Sequence, residues 1–93
     1  MASYRLSLEA ENDIDDILTY GVIKYGLETA VLYHDELTNH FAYIAQYPLQ
    51  FMKVDHISLG SRRSIFHTHT IYFNINGEIV FIERIIGRQN LTQ

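Results

Sequence analysis

The sequence predicts an α+β domain, with an N-terminal strand and a two-helix antiparallel hairpin packed on a mostly antiparallel β-sheet that includes three C-terminal strands. Two observations carry this prediction. Apolar residues fall at helical spacing along two consecutive segments separated by Gly26. After Gly60 they alternate with polar residues instead, and the pair Asn76-Gly77 marks a tight hairpin. A layer of helices packed on one face of a sheet buries the apolar residues of both patterns.

The first two elements are a short strand from Tyr4 to Ser7 and a helix from Leu8 to Tyr25. Ser7 is the expected N-cap, because its hydroxyl can accept a hydrogen bond from a free amide at the helix start. Gly26 can adopt the positive φ angle that ends the helix. The acidic residues of this helix, Asp13 among them, are expected on its solvated face. The apolar stripe consists of Ala10, Ile14, Ile17, Leu18, Gly21, Val22 and Tyr25.

A second helix is predicted from about Leu27 to Ala45, where Pro48 prevents its continuation. Residues 49–60 show no period and are expected to form a loop. The break at Gly26 is so short that the two helices must run antiparallel. The apolar stripe of the second helix consists of Ala30, Tyr33, Leu37, Phe41 and Ile44.

Three strands are expected after the loop. They cover roughly Arg62–His67, His69–Ile75 and Glu78 to Ile86, with a tight turn near Thr68 and a loose tail from Arg88. If Asn76-Gly77 is the whole second turn, it sets the pairing of the last two strands. The predicted pairs are Ile75 with Glu78, Phe73 with Val80, Ile71 with Ile82, and His69 with Arg84.

The two faces of this hairpin are predicted to have different surroundings. Ile71, Phe73, Val80 and Ile82 share the face that should pack on the helices. The other face is too apolar to be simply solvated, so we expect part of it to be covered. Its residues are Thr70, Tyr72, Asn74, Ile79, Phe81 and Glu83.

The bulk composition limits the possible functions. A chain of 93 residues predicts one domain spanning 1–93. The net charge of -4 makes the chain a poor general binder of nucleic acid, although Arg62, Arg63, Arg84 and Arg88 gather in its last third. There is no cysteine. No apolar run approaches the length of a membrane span or a signal peptide, so we expect a cytoplasmic protein.

No residue pattern marks a metal, cofactor or catalytic site. His67 and His69 flank the predicted turn, and a metal site needs ligands that converge in space. We therefore interpret His69 as a hydrogen-bonding residue at the edge of the core. We expect no cofactor, no metal and no catalytic residue.

A set of short segments lies in order along nearly the whole chain. They are Tyr4-Arg5-Leu6-Ser7, Ala10-Glu11, Asp15-Asp16-Ile17, Tyr25-Gly26, Ala30, Tyr33, Leu37, Phe41, Pro48, Gly60-Ser61-Arg62-Arg63, His69-Thr70-Ile71-Tyr72-Phe73 and Arg84-Ile85-Ile86-Gly87-Arg88. Taken in this order, the segments resemble the ParE family of the RelE/ParE toxin superfamily, and the specificity of the resemblance lies in the ordered set. The ending lacks the family's usual histidine, since Gly87 directly follows Ile86, and residues 49–60 lack the Gly-Arg pair often found after the proline.

The resemblance implies the toxin of a type II toxin–antitoxin pair, which inhibits DNA gyrase and is neutralised by a ParD-like antitoxin encoded beside it. Such an antitoxin is a disordered segment that folds around the toxin, with a helix in the helical hairpin and a strand on the sheet. Two alternatives remain open. A RelE-like ribosome-dependent mRNA endonuclease would need His67, His69, Arg62, Arg63 and Arg84 to converge at one end of the sheet. A degenerate toxin would only bind the antitoxin.

The residues expected to contact partners form two sets. Arg62, Arg63, His69, Arg84 and Arg88 are candidates for contact with gyrase or its DNA. The same arginines also fit structural ion pairs, and the predicted pairing beside His69 favours a structural role for Arg84. Leu18, Tyr20, Tyr43, Ile79 and Phe81 are candidates for antitoxin contact.

Overall fold

The computed structural model describes residues 3–87, and the secondary structure confirms the predicted fold class. Both helices agree with their predicted bounds to within one residue. A 3₁₀ turn at Pro48–Gln50 follows the second helix. The elements are β1 (Ser3–Leu6), α1 (Leu8–Tyr25), α2 (Leu27–Gln46), β2 (Met52–Lys53), β3 (Ser61–Phe66), β4 (His69–Asn76) and β5 (Ile79–Ile86).

Local rules account for the start of α1 and for the helical hairpin. The Ser7 hydroxyl accepts from the Ala10 N–H at 2.9 Å, which confirms the predicted N-cap. Gly26 has a φ of +95° and a ψ of 164°, and its N–H donates to the Val22 carbonyl at 3.0 Å. This combination of φ and ψ is accessible essentially to glycine alone. The chain therefore reverses between α1 and α2 within a single residue.

The five strands form one sheet in the order β1-β5-β4-β3-β2. β1 runs parallel to β5, and the other neighbours are antiparallel. The loop prediction for residues 49–60 was wrong in one respect, because Met52 and Lys53 pair with Arg63 and Arg62 as the edge strand β2. A strand of two residues is too short to show a period in the sequence.

The predicted pairing of β4 with β5 was wrong at the turn. Asn76 pairs with Ile79 and Ile75 with Val80, so the loop is Gly77-Glu78 rather than Asn76-Gly77. Gly77 has a φ of +65°, as the first central residue of a type II′ turn requires. A type I′ turn over Asn76-Gly77 would need a positive φ at both residues. Only Gly77 has one, and Asn76 stays in the extended strand.

The pairing error changes partners but not faces. Between the turn and Phe73, observed partners differ from the predicted ones by two residues, and side chains alternate with a period of two. Phe73 therefore pairs with Ile82 while both still face the helices. The predicted core face is confirmed: its four residues are at most 2% exposed. They are Ile71, Phe73, Val80 and Ile82.

A β-bulge interrupts β5, and Arg84 does not pair with His69 as predicted. The register shifts between Tyr72 and Phe73, so that Tyr72 pairs with Arg84 and Ile71 with Ile85. The bulge inserts one extra residue on β5. Its consequence is that Ile85 enters the core, where it is 0% exposed.

The core lies between the helices and the inner face of the sheet. The two helices contribute Ala10, Ile14, Ile17, Leu37, Phe41, Ile44 and Ala45 to the core, with Tyr4, Leu6, Leu18, Tyr33, Phe51 and Phe66 packed around it.

Neither helix within residues 3–87 is long and apolar enough to cross a membrane.

Candidate functional site

A cavity of about 350 Å³ opens between α1, α2 and the turn that joins β3 to β4. Two of the predicted antitoxin contacts, Leu18 and Tyr20, line it. A largely apolar concavity with a few polar groups is the usual form of a binding site. The lining residues are Ile17, Leu18, Tyr20, Gly21, Lys24, Tyr25, Thr29, Ala30, Tyr33, Thr68 and His69.

Small residues at the crossing of the two helices create this space. A Cβ added to Gly21 would lie 3.4 Å from the Cβ of Ala30, which is the tight end of van der Waals contact. The helices therefore approach closely at this point. Tyr20, Tyr25 and Tyr33 stand around the crossing and enclose the volume that the small residues leave open.

A partly buried hydrogen bond joins two residues that line the cavity. The Tyr33 hydroxyl and His69 Nδ1 are 2.7 Å apart, and His69 is only 7% exposed. Burial, together with the nearby carboxylate of Glu36, raises the pKa of Tyr33 to about 12. Tyr33 is therefore a neutral hydrogen-bonding group at physiological pH. His69 lies at the edge of the core, as predicted, and it connects β4 to α2.

The outer rim of the cavity holds the ammonium of Lys24. Lys24 Nζ donates to the Tyr20 hydroxyl at 3.0 Å. It also lies 5.4 Å and 5.5 Å from the ring centroids of Tyr20 and Tyr25. The hydrogen bond to Tyr20 is the largest cause that raises the pKa of Lys24. The rim of the apolar cavity therefore carries a positive charge, which Tyr20 and Tyr25 hold in place.

Tyr43 lies at the other end of α2 and does not line the cavity. Its hydroxyl accepts from Gln50 Nε2 at 2.9 Å, and its ring contacts His40 and Phe51. Burial, followed by the nearby imidazole of His67, lowers the pKa of His40. The structure therefore separates Tyr43 from Leu18 and Tyr20.

Arg62 and Arg63 point to opposite faces of the sheet. Arg62 pairs with the core residue Phe73, and its Nη1 donates to the Phe51 carbonyl at 2.8 Å. Arg63 pairs with Tyr72 on the outer face, where its Nη2 lies 3.7 Å from the sulfur of Met52. Successive residues of a strand alternate in direction. These two arginines therefore do not form one basic patch.

Arg84 is engaged by a buried carboxylate, and the expectation that Asp13 is solvated was wrong. Asp13 is 4% exposed, and it accepts from Arg84 Nε at 2.8 Å and Nη2 at 3.0 Å. It also accepts from the Ile85 N–H at 2.9 Å. β1 ends at Leu6 and does not pair with β5 beyond Ile82. The Asp13 carboxylate therefore accepts the hydrogen bond of the Ile85 N–H, which would otherwise lack a partner in the sheet. Arg84 therefore holds α1 against β5.

The remaining candidates lie on the outer face or beyond the described residues. Ile79 and Phe81 are half-buried on the outer face of β5. Part of that face is satisfied internally, since Glu83 accepts from Ser61 Oγ at 2.7 Å and Asn74 Nδ2 at 2.8 Å. Arg88 falls outside residues 3–87. In the described part of the chain, no group of three or more His, Asp or Glu side chains is placed to hold a metal ion.

Sequence reasoning missed Asp13, Lys24 and Tyr33 as residues of structural or binding interest. A signal existed for Asp13, because it lies three residues after the buried Ala10 and four before the buried Ile17, on the apolar face of α1. Lys24 had a weaker one: it is four residues after Tyr20, a spacing that brings side chains together on a helix. For Tyr33 only its place in the apolar stripe was visible.

Comparisons with known proteins agree with this geometry. A family model described as the ParE toxin of the type II toxin–antitoxin system parDE matches residues 4–91. Toxin ParE1 of Caulobacter vibrioides is 32% identical over 82 residues, which cover 88% of this chain and 85% of that protein.

Two solved structures share the fold. One is the chromosomal ParDE system of P. aeruginosa, with a TM-score of 0.80 and 21% identity over 94% of this chain and 96% of the other. The other is the RelBE2 toxin–antitoxin complex of Mycobacterium tuberculosis, with a TM-score of 0.63 and 18% identity over 94% of this chain and 98% of the other.

Proposed function

Because the chain belongs to the ParE toxin family of type II toxin–antitoxin systems, we propose that it inhibits DNA gyrase by binding and that a ParD-like antitoxin neutralises it. We further propose that no residue of the chain has a catalytic role. Action on gyrase places the toxin in the cytoplasm. The observation that supports antitoxin binding most directly is the apolar cavity between α1 and α2.

The surroundings of the cavity support a protein partner. Ile23 is 81% exposed and Leu27 is 66% exposed, although both are aliphatic. Exposed apolar residues gathered in one region mark protein interaction sites. An amphipathic antitoxin helix would bury them. The exposed apolar residues of this region are Tyr20, Val22, Ile23, Tyr25, Leu27, Val31 and Leu32.

The other predicted antitoxin contacts are on different surfaces. Tyr43 is at the far end of α2, and Ile79 and Phe81 are on the face of the sheet opposite the helices. A single partner helix in the cavity does not reach them. We propose that an extended segment of the antitoxin continues from the helix and contacts these three residues, as a partner that folds around the toxin would allow.

Most of the candidate cationic side chains are already held by contacts within the fold, which supports action by binding rather than by catalysis. Cleavage of RNA needs an acid, a base and cations near one phosphate. Arg84 is held by Asp13, Arg62 donates to a backbone carbonyl, and Arg63 faces the opposite side of the sheet from Arg62. His69 shares a hydrogen bond with Tyr33. We therefore propose Arg63 as a target contact and structural roles for Arg62, His69 and Arg84. Arg88 remains a proposed target contact.

One set of assays tests the proposed function. The purified toxin is added to DNA gyrase in a supercoiling reaction, with and without the antitoxin encoded beside it. We expect inhibition that the antitoxin reverses, and weaker inhibition by Arg63→Ala. Normal supercoiling at saturating toxin contradicts the proposal. Cleavage of messenger RNA in a translation reaction would instead identify an endonuclease. Tight antitoxin binding without effect in either reaction would identify a degenerate toxin.

A further inference from the structure

Lys24 is the single Lys or Arg residue of the helical hairpin. The acidic side chains of the two helices repel an acidic partner, so Lys24 is the one Lys or Arg on them that attracts it. Lys24 lies at the rim of the cavity, where a partner must pass. The exposed acidic residues of α1 and α2 are Glu9, Glu11, Asp15, Asp16, Glu28, Asp35 and Glu36.

The ammonium of Lys24 is held in place although its side chain is on the surface. It donates to the Tyr20 hydroxyl at 3.0 Å and lies over the rings of Tyr20 and Tyr25. Within residues 3–87, no carboxylate forms an ion pair with it. Restricting a lysine side chain costs conformational entropy, which the contacts with the two tyrosines offset in the free toxin. The charge is therefore positioned in advance for a partner.

We propose that an Asp or Glu of the antitoxin's bound helix docks on the ammonium of Lys24, while a neighbouring apolar side chain of the same helix fills the cavity. This inference rests on the proposed antitoxin binding and adds the chemistry of the partner. On a helix, residues three or four positions apart share a face. The acid should therefore precede or follow the apolar anchor at that spacing.

The proposed contact sets the register of the bound helix. An acid moved away from Lys24 would find no other Lys or Arg on α1 or α2, and like charges that meet in an interface are unfavourable. Docking also removes water from the ammonium, which strengthens its attraction for the carboxylate. Lys24 thus determines which antitoxins fit, and Tyr20 and Tyr25 act as positioning residues for it.

The test measures binding of the neighbouring antitoxin to the full-length toxin by calorimetry at low and high salt. Lys24→Met should weaken binding roughly 5- to 30-fold at low salt and flatten its salt dependence. Tyr20→Phe, which removes only the hydrogen bond, should weaken it less. Lys53→Met is the matched control, because Lys53 is the other lysine of the chain and lies on β2. It should bind like the unmodified toxin.

A charge exchange identifies the acid. Lys24→Glu should weaken binding further, and replacing one Asp or Glu of the antitoxin helix with Lys should restore it. Failure of every such replacement, or equal binding by Lys24→Met, overturns the inference and leaves the proposed function intact. An antitoxin that does not bind the unmodified toxin overturns both. A homodimer of free toxin that Lys24→Met dissociates would assign the site to a second copy and overturn the inference.

Discussion

The two ends of the helical hairpin meet the rest of the molecule differently. The end away from the Gly26 turn, residues 7–17 and 37–46, is here called the closed end, and it contains all but one of the buried residues of α1 and α2. The end that includes the Gly26 turn, residues 18–33, is called the open end, and it contributes only Ala30 to that set. It carries seven of the large apolar side chains that the hairpin leaves exposed, against Leu8 and Tyr43 at the closed end.

The difference separates two tasks within one pair of helices. At the closed end, Ser7 and Asp13 hydrogen-bond to β5, and α2 packs on the sheet through Phe41 and Ile44. Burial of this kind stabilises the fold. At the open end, apolar area stays in water and a cavity remains unfilled, which stabilises nothing until a partner covers it. Substitutions at the closed end should therefore change stability, and those at the open end should change binding.

The largest effect is expected for Asp13→Ala. The substitution leaves the buried Ile85 N–H without its acceptor and removes both bonds to Arg84. Breaking a buried pair is strongly destabilising, but the Arg84 side chain is 45% exposed and can return to water. We expect a loss of about 2–4 kcal/mol in the free energy of unfolding, measured with urea.

The control for that change is Asp15→Ala, two residues along the same helix and exposed. It should alter the free energy of unfolding by no more than about 0.5 kcal/mol. If both variants lose the same stability, the carboxylate of Asp13 is no different from a surface acid, and the contrast between the two ends of the hairpin fails.

Thr29→Trp tests the open end. Thr29 is exposed and lines the cavity, so an indole at this position should occupy the space that the antitoxin needs. We expect antitoxin binding about 10- to 100-fold weaker, with the free energy of unfolding nearly unchanged. Thr19→Trp is the control, since Thr19 is exposed on α1 outside the cavity. Equal binding by both variants would show that the antitoxin docks elsewhere.

Ser7→Ala removes a smaller contribution at the closed end. The Ser7 hydroxyl accepts from the Ala10 N–H and donates to the Glu83 carbonyl at 2.7 Å. Loss of an N-cap costs about 1 kcal/mol. We expect a lower midpoint in thermal unfolding and unchanged antitoxin affinity. Ser3→Ala on β1 is the matched control. A Ser7→Ala variant that is as stable as the control would remove the N-cap from the account of the closed end.

The features that were predicted correctly from the sequence are those that depend on local rules. Ser7 and Gly26 were recognised because a cap and a chain reversal each depend on a few neighbouring residues. The core face of β4 and β5 was recognised because alternation survives a two-residue error in pairing. Arg62 and Arg63 are a different case. They are consecutive in a predicted strand, so their opposite directions already followed from the sequence.

Long-range contacts account for the rest. The carboxylate of Asp13 meets Ile85, 72 residues along the chain, and no local pattern reports such a partner. The cavity depends on how closely Gly21 and Ala30 approach, yet both looked like ordinary members of an apolar stripe. The turn at Gly77 depended on a choice between two types that Asn76-Gly77 alone does not decide.

The smallest expected effect is a pH dependence at the closed end, from His40. Its imidazole lies 2.7 Å from Ser64 Oγ and stacks on Phe66, while Tyr43, Phe51 and His67 surround it. Burial lowers the pKa of His40 below its ordinary value of 6.5. The folded state therefore binds fewer protons than the unfolded state just below pH 6.5.

The sign of that pH dependence follows directly. The stability contributed by neutral His40 is complete above pH 6.5, and it is lost as the pH falls towards the lowered pKa. His40→Gln keeps a hydrogen-bonding group near Ser64 without a titrating one, so urea unfolding across about pH 7 to 5 should show a shallower slope. His56→Gln, in the exposed loop, is the control. A slope that His40→Gln leaves unchanged would assign the acid sensitivity to another group.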